Sequence, residues 1–296
     1  MIKTRLIQPL VGSISFALHT VNTLTICIPL FVLAFLKLLL PFESARNFFN
    51  ALLNWLATAW ISINNIIIRT TKNTKVECHG GESLSEKDWY LVLANHQSWV
   101  DILILQMVLN KKIPFLKFFL KKELIFVPVL GLAWWALDFP FMKRYSKSYL
   151  KKNPHKKGKD LETTKKACEK FQHIPISVMN FVEGTRFTQE KADRQNSPYK
   201  KLLKPKSGGV GTVLSILGEQ MRTVVDVTIV YPGGIPTFWD LMCGRIDNIK
   251  VFIKTHDIAP ELIGDMNNSE TRLNVQAWLN EIWQEKDQLV LTHQKS

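Results

Sequence analysis

The hydrophobic pattern divides the chain into two parts. Residues 10–40 are rich in Leu, Ile, Phe and Val, and Lys37 carries the only formal charge among them. A second apolar stretch, residues 48–68, follows a break at Pro41-Phe42-Glu43. About 20 apolar residues are enough for a helix to cross a bilayer, so both stretches are long enough. We therefore predict an N-terminal, membrane-anchoring helical hairpin over residues 1–70.

The placement of this hairpin is open. Its second stretch contains Asn54, Asn64 and Asn65, which suit lipid less well, and basic residues flank the hairpin on both sides. A hairpin that dips into one leaflet is therefore as consistent with the charge pattern as two full spans. A buried helical pair of a soluble domain is a third interpretation, which the length and uniformity of the first stretch disfavour. No short apolar core with a small-residue cleavage site is present, so we expect no removed signal peptide.

The pattern changes after Lys75, where short apolar runs alternate with longer segments at helical spacing. Strands that alternate with helices are typical of an α/β layer fold, which we predict for residues 71–296. The predicted strands are 90–94, 113–120, 176–182, 224–231 and 249–253. The predicted helices are 99–109, 161–171, 211–221 and 271–283.

A third apolar stretch, residues 124–142, is broken by Pro128 and Gly131 and contains two adjacent tryptophans. Asp138 and Pro140 argue against a third membrane span. The stretch is predicted to be either part of the core or a membrane-facing shelf.

Composition and charge restrict the classes of partner that the chain is expected to bind. The chain has 296 residues, of which 46% are hydrophobic, so a sizeable core is available. The formal net charge of +13 indicates an anionic partner. Residues 143–206 hold 18 Lys and Arg against 6 Asp and Glu, which is nearly the whole excess. Because no nucleic-acid-binding signature accompanies them, we predict phospholipid headgroups or a phosphorylated or acidic carrier substrate, and no nucleic acid.

The segment ANHQSWVD, residues 94–101, joins a predicted strand to a predicted helix. His96 follows the strand, and Asp101 lies in the first helical turn. A strand-end loop can bring the two together, so that the carboxylate fixes the imidazole tautomer and raises its basicity. The sequence has no nucleophile elbow such as GxSxG, so we expect the base to deprotonate a substrate hydroxyl, which then attacks an activated acyl group. The alternative is a helix capping box at Ser98-x-x-Asp101, which would not require His96.

A second group of polar residues ends another apolar run. Residues 180–188, NFVEGTRFT, contain Glu183-Gly184-Thr185-Arg186, which combines a tight turn, backbone amides and a guanidinium suited to phosphate. Arg144 ends the run FPFMKR, and Tyr231-Pro232 lie in VTIVYPGG. Four such strand ends on one edge of a sheet are typical of an α/β active site. The alternative for Arg186 is a surface arginine on a strand-ending turn.

These segments resemble the glycerophospholipid acyltransferase family, that of the 1-acylglycerol-3-phosphate acyltransferases, over residues 76–234. The hallmarks are NHxSxxD at residues 95–101, a phosphate-binding block that ends in Arg144, EGTR at 183–186, and a strand that ends near Pro232. EGTRFTQEK and VVDVTIVYPGG are similar above all to the lysocardiolipin and lysophospholipid acyltransferase branch. The fold that the resemblance implies is the family's α/β layer domain.

The resemblance also implies a role for each matching residue. His96 is implied as the general base and Asp101 as the residue that orients it. Lys206-Ser207-Gly208 matches a Lys-x-Gly element of the family, although the neighbouring Lys204 allows another register. The residues implied in substrate binding are Lys121, Arg144, Glu183, Gly184, Thr185, Arg186 and Lys206.

The implied reaction transfers a fatty acyl group from acyl-CoA or acyl carrier protein to the free hydroxyl of a lysophospholipid. The expected acceptor is 1-acyl-glycerol-3-phosphate, with lysocardiolipin or another lysophospholipid as the alternative. A non-catalytic lipid-binding membrane protein is the alternative of another class. A thioester is already activated, so no metal or other cofactor is expected. The scattered cysteines favour a reducing compartment, and we expect membrane lipids as partners and the catalytic domain on the cytoplasmic side.

Overall fold

A computed structural model describes residues 2–40, 42–142 and 175–294 of the chain. Two long helices open the fold: α1 spans Ile2–Leu39 and α2 spans Glu43–Thr71. Both are long and apolar enough to cross a membrane. The predicted helix 161–171 and Arg144 lie outside the described residues.

The part of the chain that follows the hairpin is built on a six-stranded sheet in the order β1-β8-β7-β2-β6-β3. All neighbouring strands are parallel except β7 and β8, which are antiparallel. The strands are β1 Lys75–His79, β2 Tyr90–Ala94, β3 Leu116–Phe118, β6 Ser177–Phe181, β7 Thr223–Val230 and β8 Asn248–Asp257. A separate pair joins β4 Leu120–Lys121 to β5 Phe141–Met142.

Strand β2 occupies the centre of the sheet, and all five of its residues are buried. Its alternate residues face opposite sides, as the twofold repeat of a strand requires. Val92 and Ala94 join a core cluster with helix α3, Val100–Leu109. Leu91 and Leu93 join another cluster with the helices Ser207–Leu217 (α6) and Ser269–His293 (α8). A sheet that is covered on both faces needs continuous apolar strands, which explains the run in β2.

The remaining helices are short except for the last. They are α4 Leu130–Ala136, α5 Gln189–Arg194, α6 Ser207–Leu217, α7 Phe238–Met242 and α8 Ser269–His293. Helix α8 packs on the sheet through Val275, Leu279 and Trp283, all of which are fully buried. It therefore closes the face of the sheet opposite to α3.

The hairpin helices are joined by polar contacts. Asn22 donates from its side chain to Asn64 Oδ1 at 2.8 Å, and the indole N–H of Trp60 donates to Thr23 Oγ1 at 3.0 Å. Such contacts between apolar helices fix their register where few other polar groups are available. Asn64, one of the asparagines of α2 that suit lipid poorly, is therefore directed at α1.

The register of the sheet aligns the ends of its central strands. Ala94, the last residue of β2, pairs with Phe181 at the end of β6 and with Val227 of β7. Because these strands are parallel, their carboxyl ends meet at one edge, where ligands bind in open α/β sheets. The residues that follow β2, β6 and β7 therefore lie close together, as predicted.

The α/β fold is confirmed, with differences in its elements. Only residues 116–118 of the predicted strand 113–120 enter the main sheet, because residues 120–121 pair with β5 instead. The predicted helix 211–221 lies at Ser207–Leu217, since Gly208 and Gly209 are helical although glycine usually breaks helices. Helix α8 continues to His293, ten residues beyond the predicted end at Trp283. The sequence analysis missed β1, β5 and the short helices α5 and α7.

Candidate active site

The loop after β2 brings His96 and Asp101 together. His96 Nδ1 lies 2.8 Å from Asp101 Oδ2. The side chain of Asp101 is 1% exposed and that of His96 is 13% exposed, so the pair is shielded but the imidazole reaches the surface. With the hydrogen on Nδ1 directed at the carboxylate, the ring presents Nε2 as an unprotonated acceptor. This arrangement is that of a general base and its orienting acid.

Asp101 is also held by the loop it follows. Its Oδ2 accepts hydrogen bonds from the backbone N–H groups of Gln97, at 2.6 Å, and of Ser98, at 2.8 Å. The bond from the Ser98 N–H is half of the capping box considered as the alternative. In place of the other half, Ser98 Oγ accepts a hydrogen bond from the Val100 N–H at 3.1 Å, one residue before Asp101, and donates to the Pro236 carbonyl at 2.6 Å. Asp101 therefore caps the helix start and contacts His96 with the same oxygen.

The strand end of β7 supplies further supports. The Tyr231 hydroxyl donates to Asp101 Oδ1 at 2.5 Å. Burial, together with the neighbouring Asp101 carboxylate, raises the pKa of Tyr231 well above its ordinary value, so the hydroxyl keeps its proton. Asn95 forms two 2.9 Å hydrogen bonds with the backbone of Ile229, one to its carbonyl and one from its N–H. Together they fix the loop between β2 and α3 to β7.

The imidazole of His96 rests on an aromatic ring. Its ring centroid lies 3.9 Å from that of Phe181, and the two planes are 16° apart. Phe181 in turn stacks with Phe118 of β3 at 6.3 Å. Since Asp101 holds Nδ1 and Phe181 covers one face, the orientation of the imidazole is restricted from two directions.

Glu183 supports the histidine loop from within the protein. Its carboxylate is fully buried and accepts hydrogen bonds from the backbone N–H groups of His96, at 2.9 Å, and Leu203, at 2.8 Å. Burial raises the pKa of Glu183 to about 8, against the effect of those two N–H groups. Contact of this carboxylate with the acceptor stays a prediction, and one that this geometry disfavours.

The EGTR turn is joined to the same loop. Gly184 has φ of +72°, a conformation that glycine adopts without strain. The Phe187 N–H donates to the His96 carbonyl at 2.7 Å. Lys191 Nζ, which the sequence analysis did not single out, donates to Thr185 Oγ1 at 3.0 Å and to the Arg186 carbonyl at 2.8 Å. The turn is therefore held at both ends.

Arg186 is exposed and lies on the EGTR turn, which the Phe187 N–H joins to the His96 loop. Its guanidinium carbon is 4.8 Å from the centroid of the Trp99 ring, within the range of a cation–π contact. Trp99 follows Ser98 at the start of α3, so the contact connects the EGTR turn to the His96 loop. The stacked guanidinium keeps its edge N–H groups available to an anion.

Three further residues are predicted to bind substrate: Lys121, Arg144 and Lys206. Lys121 is exposed at the end of β4, three residues after Phe118, and is paired in register with Met142 of β5. Lys206 is exposed, and its backbone N–H donates to the Val182 carbonyl at 3.0 Å, next to the EGTR turn. Arg144 follows β5 outside the described residues. The structure thus brings His96, Asp101 and residues 183–186 together, and substrate contacts by Lys121, Arg144 and Lys206 stay predictions.

A buried ion pair lies beneath this edge of the sheet. Lys286 Nζ of α8 lies 2.6 Å from Asp226 Oδ1 and donates to the Val227 carbonyl at 2.8 Å and to Thr228 Oγ1 at 3.0 Å. Burial lowers the pKa of Lys286, while Asp226 opposes that change. The sequence analysis missed this pair, and also Tyr231, Trp99 and Phe181 as partners of the predicted site residues. A charged residue on the buried stripe of α8 is a signal that helical spacing could have revealed.

Comparison with known proteins identifies the family. The family model described as Acyltransferase matches residues 75–232, which include β1 to β7 and all of the contacts around His96 described above. The chain belongs to the acyltransferase family.

About a quarter of the aligned residues are identical between the chain and two curated relatives. A 1-acyl-sn-glycerol-3-phosphate acyltransferase 3 of Arabidopsis thaliana is 27% identical over 68% of this chain and 52% of its own length. A 1-acyl-sn-glycerol-3-phosphate acyltransferase gamma of Mus musculus is 24% identical over 69% of this chain and 53% of its own length. The chain spans about half the length of these curated relatives. The greater similarity to the lysocardiolipin and lysophospholipid acyltransferase branch stays a prediction.

A solved structure is similar over most of the chain. The crystal structure of the 1-acyl-sn-glycerophosphate acyltransferase PlsC from Thermotoga maritima covers 94% of this chain and 97% of its own, with a TM-score of 0.49 and 17% identity.

Proposed function

We propose that the protein transfers a fatty acyl group from a thioester to the free hydroxyl of 1-acyl-glycerol-3-phosphate, which gives phosphatidic acid. The observation that carries this proposal is the His96–Asp101 pair, with Nδ1 to Oδ2 at 2.8 Å; in the part of the chain that the structure describes, no serine or cysteine side chain is hydrogen-bonded to the imidazole. The nearby Ser98 hydroxyl is bonded to the Pro236 carbonyl and is thus directed away from the imidazole. The nucleophile therefore comes from the substrate. The relatives, named as 1-acyl-sn-glycerol-3-phosphate acyltransferases, support the choice of acceptor.

The reaction begins with proton transfer to the imidazole. Nε2 of His96 takes the proton of the acceptor hydroxyl as its oxygen attacks the thioester carbonyl carbon. A C–O bond forms, and the carbonyl electrons move to the oxygen, which gives a tetrahedral oxyanion. When it collapses, the C–S bond breaks and the thiolate takes the proton back from the imidazolium. Nothing is oxidised or reduced, so the step requires no redox partner.

Asp101 contributes to this reaction without touching the substrate. Its carboxylate stabilises the imidazolium that forms and keeps the hydrogen on Nδ1. Four hydrogen-bonding groups hold the carboxylate in place, from His96, Gln97, Ser98 and Tyr231. A carboxylate that is fixed in advance needs no reorganisation when the positive charge develops.

The acceptor phosphate would bind at the exposed guanidinium of Arg186. Its contact with Trp99 directs the guanidinium toward the surface beside His96. A planar guanidinium can grip two phosphate oxygens at once, which suits a phosphomonoester. Acyl-CoA and acyl carrier protein both remain candidate donors, because each presents a thioester on an anionic carrier that suits the basic chain.

We also propose that the hairpin lies in one leaflet, with the catalytic domain on the cytoplasmic face. Both ends of α1 touch that domain. Near its start, a methyl group added to Gly12 would lie 2.6 Å from Cys243 Sγ, and near its end Lys37 Nζ lies 2.5 Å from Asp138. These points are about 37 Å apart along the helix, more than the roughly 30 Å hydrocarbon core. A helix that crossed the bilayer would thus draw the catalytic domain into lipid.

The cytoplasmic side is supported by the cysteines. Cys27, Cys78 and Cys243 are all unpaired among the described residues, as expected in a reducing compartment. Cys78 is exposed, so a membrane-impermeant maleimide can test its side in a Cys168→Ser background. Labelling only after the cells are permeabilised supports the proposal. Labelling of intact cells would contradict it.

The enzymatic proposal is tested with purified protein and a panel of acceptors. Transfer of a labelled acyl group is measured to 1-acyl-glycerol-3-phosphate, lysocardiolipin and neutral lysophospholipids, with acyl-CoA and acyl carrier protein as donors. The proposal expects the largest kcat/KM for 1-acyl-glycerol-3-phosphate. A preference for lysocardiolipin would support the alternative acceptor. Absence of transfer to every acceptor, with lipid binding intact, would favour a non-catalytic lipid-binding protein.

A further inference from the structure

An apolar ridge on the catalytic domain adjoins the hairpin. The ridge consists of Phe126, Val129, Leu132 and Trp135, in the segment from the turn after β4 to helix α4. Phe126 is 82% exposed and Trp135 is 43% exposed. The reaction at His96 uses none of these residues. Side chains of this size are normally buried in a soluble domain, so a contiguous exposed group marks a contact surface.

The segment has two faces, and only one of them is packed within the protein. Ala133, Ala136 and Leu137 are buried in a cluster with residues of α1 and α2. Leu132 and Trp135 alternate with these residues and point away from the cluster. The ridge therefore lies on a segment whose other face packs against the hairpin.

The backbone of the segment is arranged to present this ridge. Val129 has φ of +65°, which is unfavourable for a β-branched residue. Gly131 follows, and a methyl group added there would lie 2.1 Å from the Ile125 carbonyl oxygen. The turn is thus tight and strained, and it leaves Phe126 and Val129 exposed. Strain of this kind persists where the surrounding structure imposes it and is often associated with function.

We propose that this ridge inserts into the same leaflet as the hairpin and is a second, independent point of contact between the catalytic domain and the phospholipid bilayer. Three observations favour lipid over a protein partner. The segment that carries the ridge packs against two helices long enough to cross a membrane. Trp135 provides the amphipathic ring that is enriched at the membrane interface. Lys121 and Lys122 are exposed just before the ridge, where they match anionic headgroups.

Insertion of the ridge would also give a membrane-resident acceptor access to His96, which the proposed reaction requires. A lysophospholipid resides in the bilayer with its headgroup at the surface. Lys121 ends β4, three residues after Phe118, and Phe118 stacks on Phe181 beneath His96. A ridge that inserts just beyond Lys121 would hold this edge of the sheet at headgroup depth. The acceptor could then reach His96 without leaving the membrane.

Insertion is tested by a label at position 126 in the full chain. Phe126→Cys carries a nitroxide in a Cys78→Ser, Cys168→Ser background. Leu273→Cys in the same background is the matched control, because Leu273 is also a large, exposed apolar side chain and lies on α8. Vesicles of phosphatidylcholine with phosphatidic acid are added. We expect the label at 126 to become accessible to oxygen and protected from a water-soluble nickel complex, whereas the label at 273 stays accessible to nickel.

Two results would overturn the inference. With vesicles present, the label at 126 could remain as accessible to nickel as the label at position 273 on α8. Alternatively, it could be protected without vesicles in a concentration-dependent manner, which would assign the ridge to an interface between copies of the chain. Neither result depends on catalysis, so they are distinct from failure of the proposed reaction.

A second measurement uses activity. Removing a large buried apolar side chain from lipid weakens partition by about tenfold or more. Phe126→Ser should therefore raise the apparent KM for an acceptor embedded in vesicles by about that factor. It should leave turnover of a short-chain, monomeric acceptor unchanged, and Leu273→Ser should affect neither. An equal loss on both acceptors would place Phe126 in the fold or the site and contradict the inference.

Discussion

The Tyr231 hydroxyl donates a 2.5 Å hydrogen bond to Asp101 Oδ1, on the opposite carboxylate oxygen from the one that meets His96. The bond connects the end of β7 to the start of α3 and is buried. It orients the carboxylate about its own axis, so that the second oxygen faces the imidazole. This relationship makes Tyr231 a positioning residue for the base.

Tyr231→Phe should lower kcat by about tenfold and leave both KM values nearly unchanged. The substitution removes a hydrogen bond to a charged group, which is worth about 1.5–3 kcal/mol, while the ring keeps its packing. Tyr199→Phe is the matched control, because it removes a hydroxyl whose bond, to the Asn280 carbonyl at 3.3 Å, is exposed and involves no residue of the site. An unchanged kcat in Tyr231→Phe would show that the backbone N–H groups alone hold Asp101.

Arg186→Ala should raise the acceptor KM by about 10- to 100-fold, because a charge-assisted bond to phosphate is lost. Arg186→Lys should recover only part, since an ammonium cannot grip two oxygens at once. Trp99→Ala should give a smaller increase, through loss of the ring that positions the guanidinium. The donor KM should stay constant in all three.

The control for this series is Arg194→Ala, which removes an exposed arginine paired with Glu190 on α5. Both KM values and the melting temperature are measured for each variant. A normal acceptor KM in Arg186→Ala, with an unchanged melting temperature, would remove Arg186 from the phosphate site. It would also favour a neutral lysolipid as the acceptor.

Glu183 should make stability depend on pH. Burial raises its pKa from the ordinary 4.5 to about 8. Because the folded-state pKa is the higher one, the stability that the protonated form contributes is fully present below about pH 4.5. It is lost as the pH rises toward and through about 8. Glu183→Gln is neutral at every pH and should not show this loss.

The measurement compares unfolding of the wild type and Glu183→Gln from pH 5 to pH 9. The free energy of unfolding of the wild type should fall relative to the variant by up to about 1.4 kcal/mol per pH unit. Glu190→Gln, which alters an exposed carboxylate on α5, is the control. Parallel curves for wild type and Glu183→Gln would mean that Glu183 is ionised throughout, held by the N–H groups of His96 and Leu203.

Lys286→Met should destabilise the protein by about 3–5 kcal/mol, because it leaves Asp226 buried without its partner. Lys286→Met combined with Asp226→Asn should recover much of this loss, since no uncompensated charge remains. Thermal unfolding of both single variants and the double variant gives the coupling between the two residues. Strictly additive effects would show that the ion pair contributes little.

Much of the site could be predicted because buried parallel strands carry a recognisable signal. The runs in β2, β6 and β7 are continuous and apolar, so the polar residues that follow them mark one edge of the sheet. His96, Asp101 and the EGTR turn were predicted to meet for this reason. Edge strands lack the signal: four of the five residues of β1 are exposed, and its sequence KVECH has no apolar run.

The supporting contacts could not be predicted from local pattern. Tyr231 and Asp101 are 130 residues apart, and their pairing follows from the sheet order. The Arg186–Trp99 contact requires two loops to meet, and neither loop is periodic. A lysine is almost never fully buried unless it is paired, so local pattern does not predict burial of Lys286. Its partner, Asp226, is 60 residues away in the sequence and is brought to it by the fold.

The most direct test of the central claim is the turnover of His96→Ala with 1-acyl-glycerol-3-phosphate and an acyl thioester. The described contacts of the imidazole are with Asp101 and Phe181, so the variant should fold, with a melting temperature near that of the wild type. In His96→Ala, acyl transfer should fall to the uncatalysed background while lipid binding is kept. Transfer at the wild-type rate by folded His96→Ala would contradict the account.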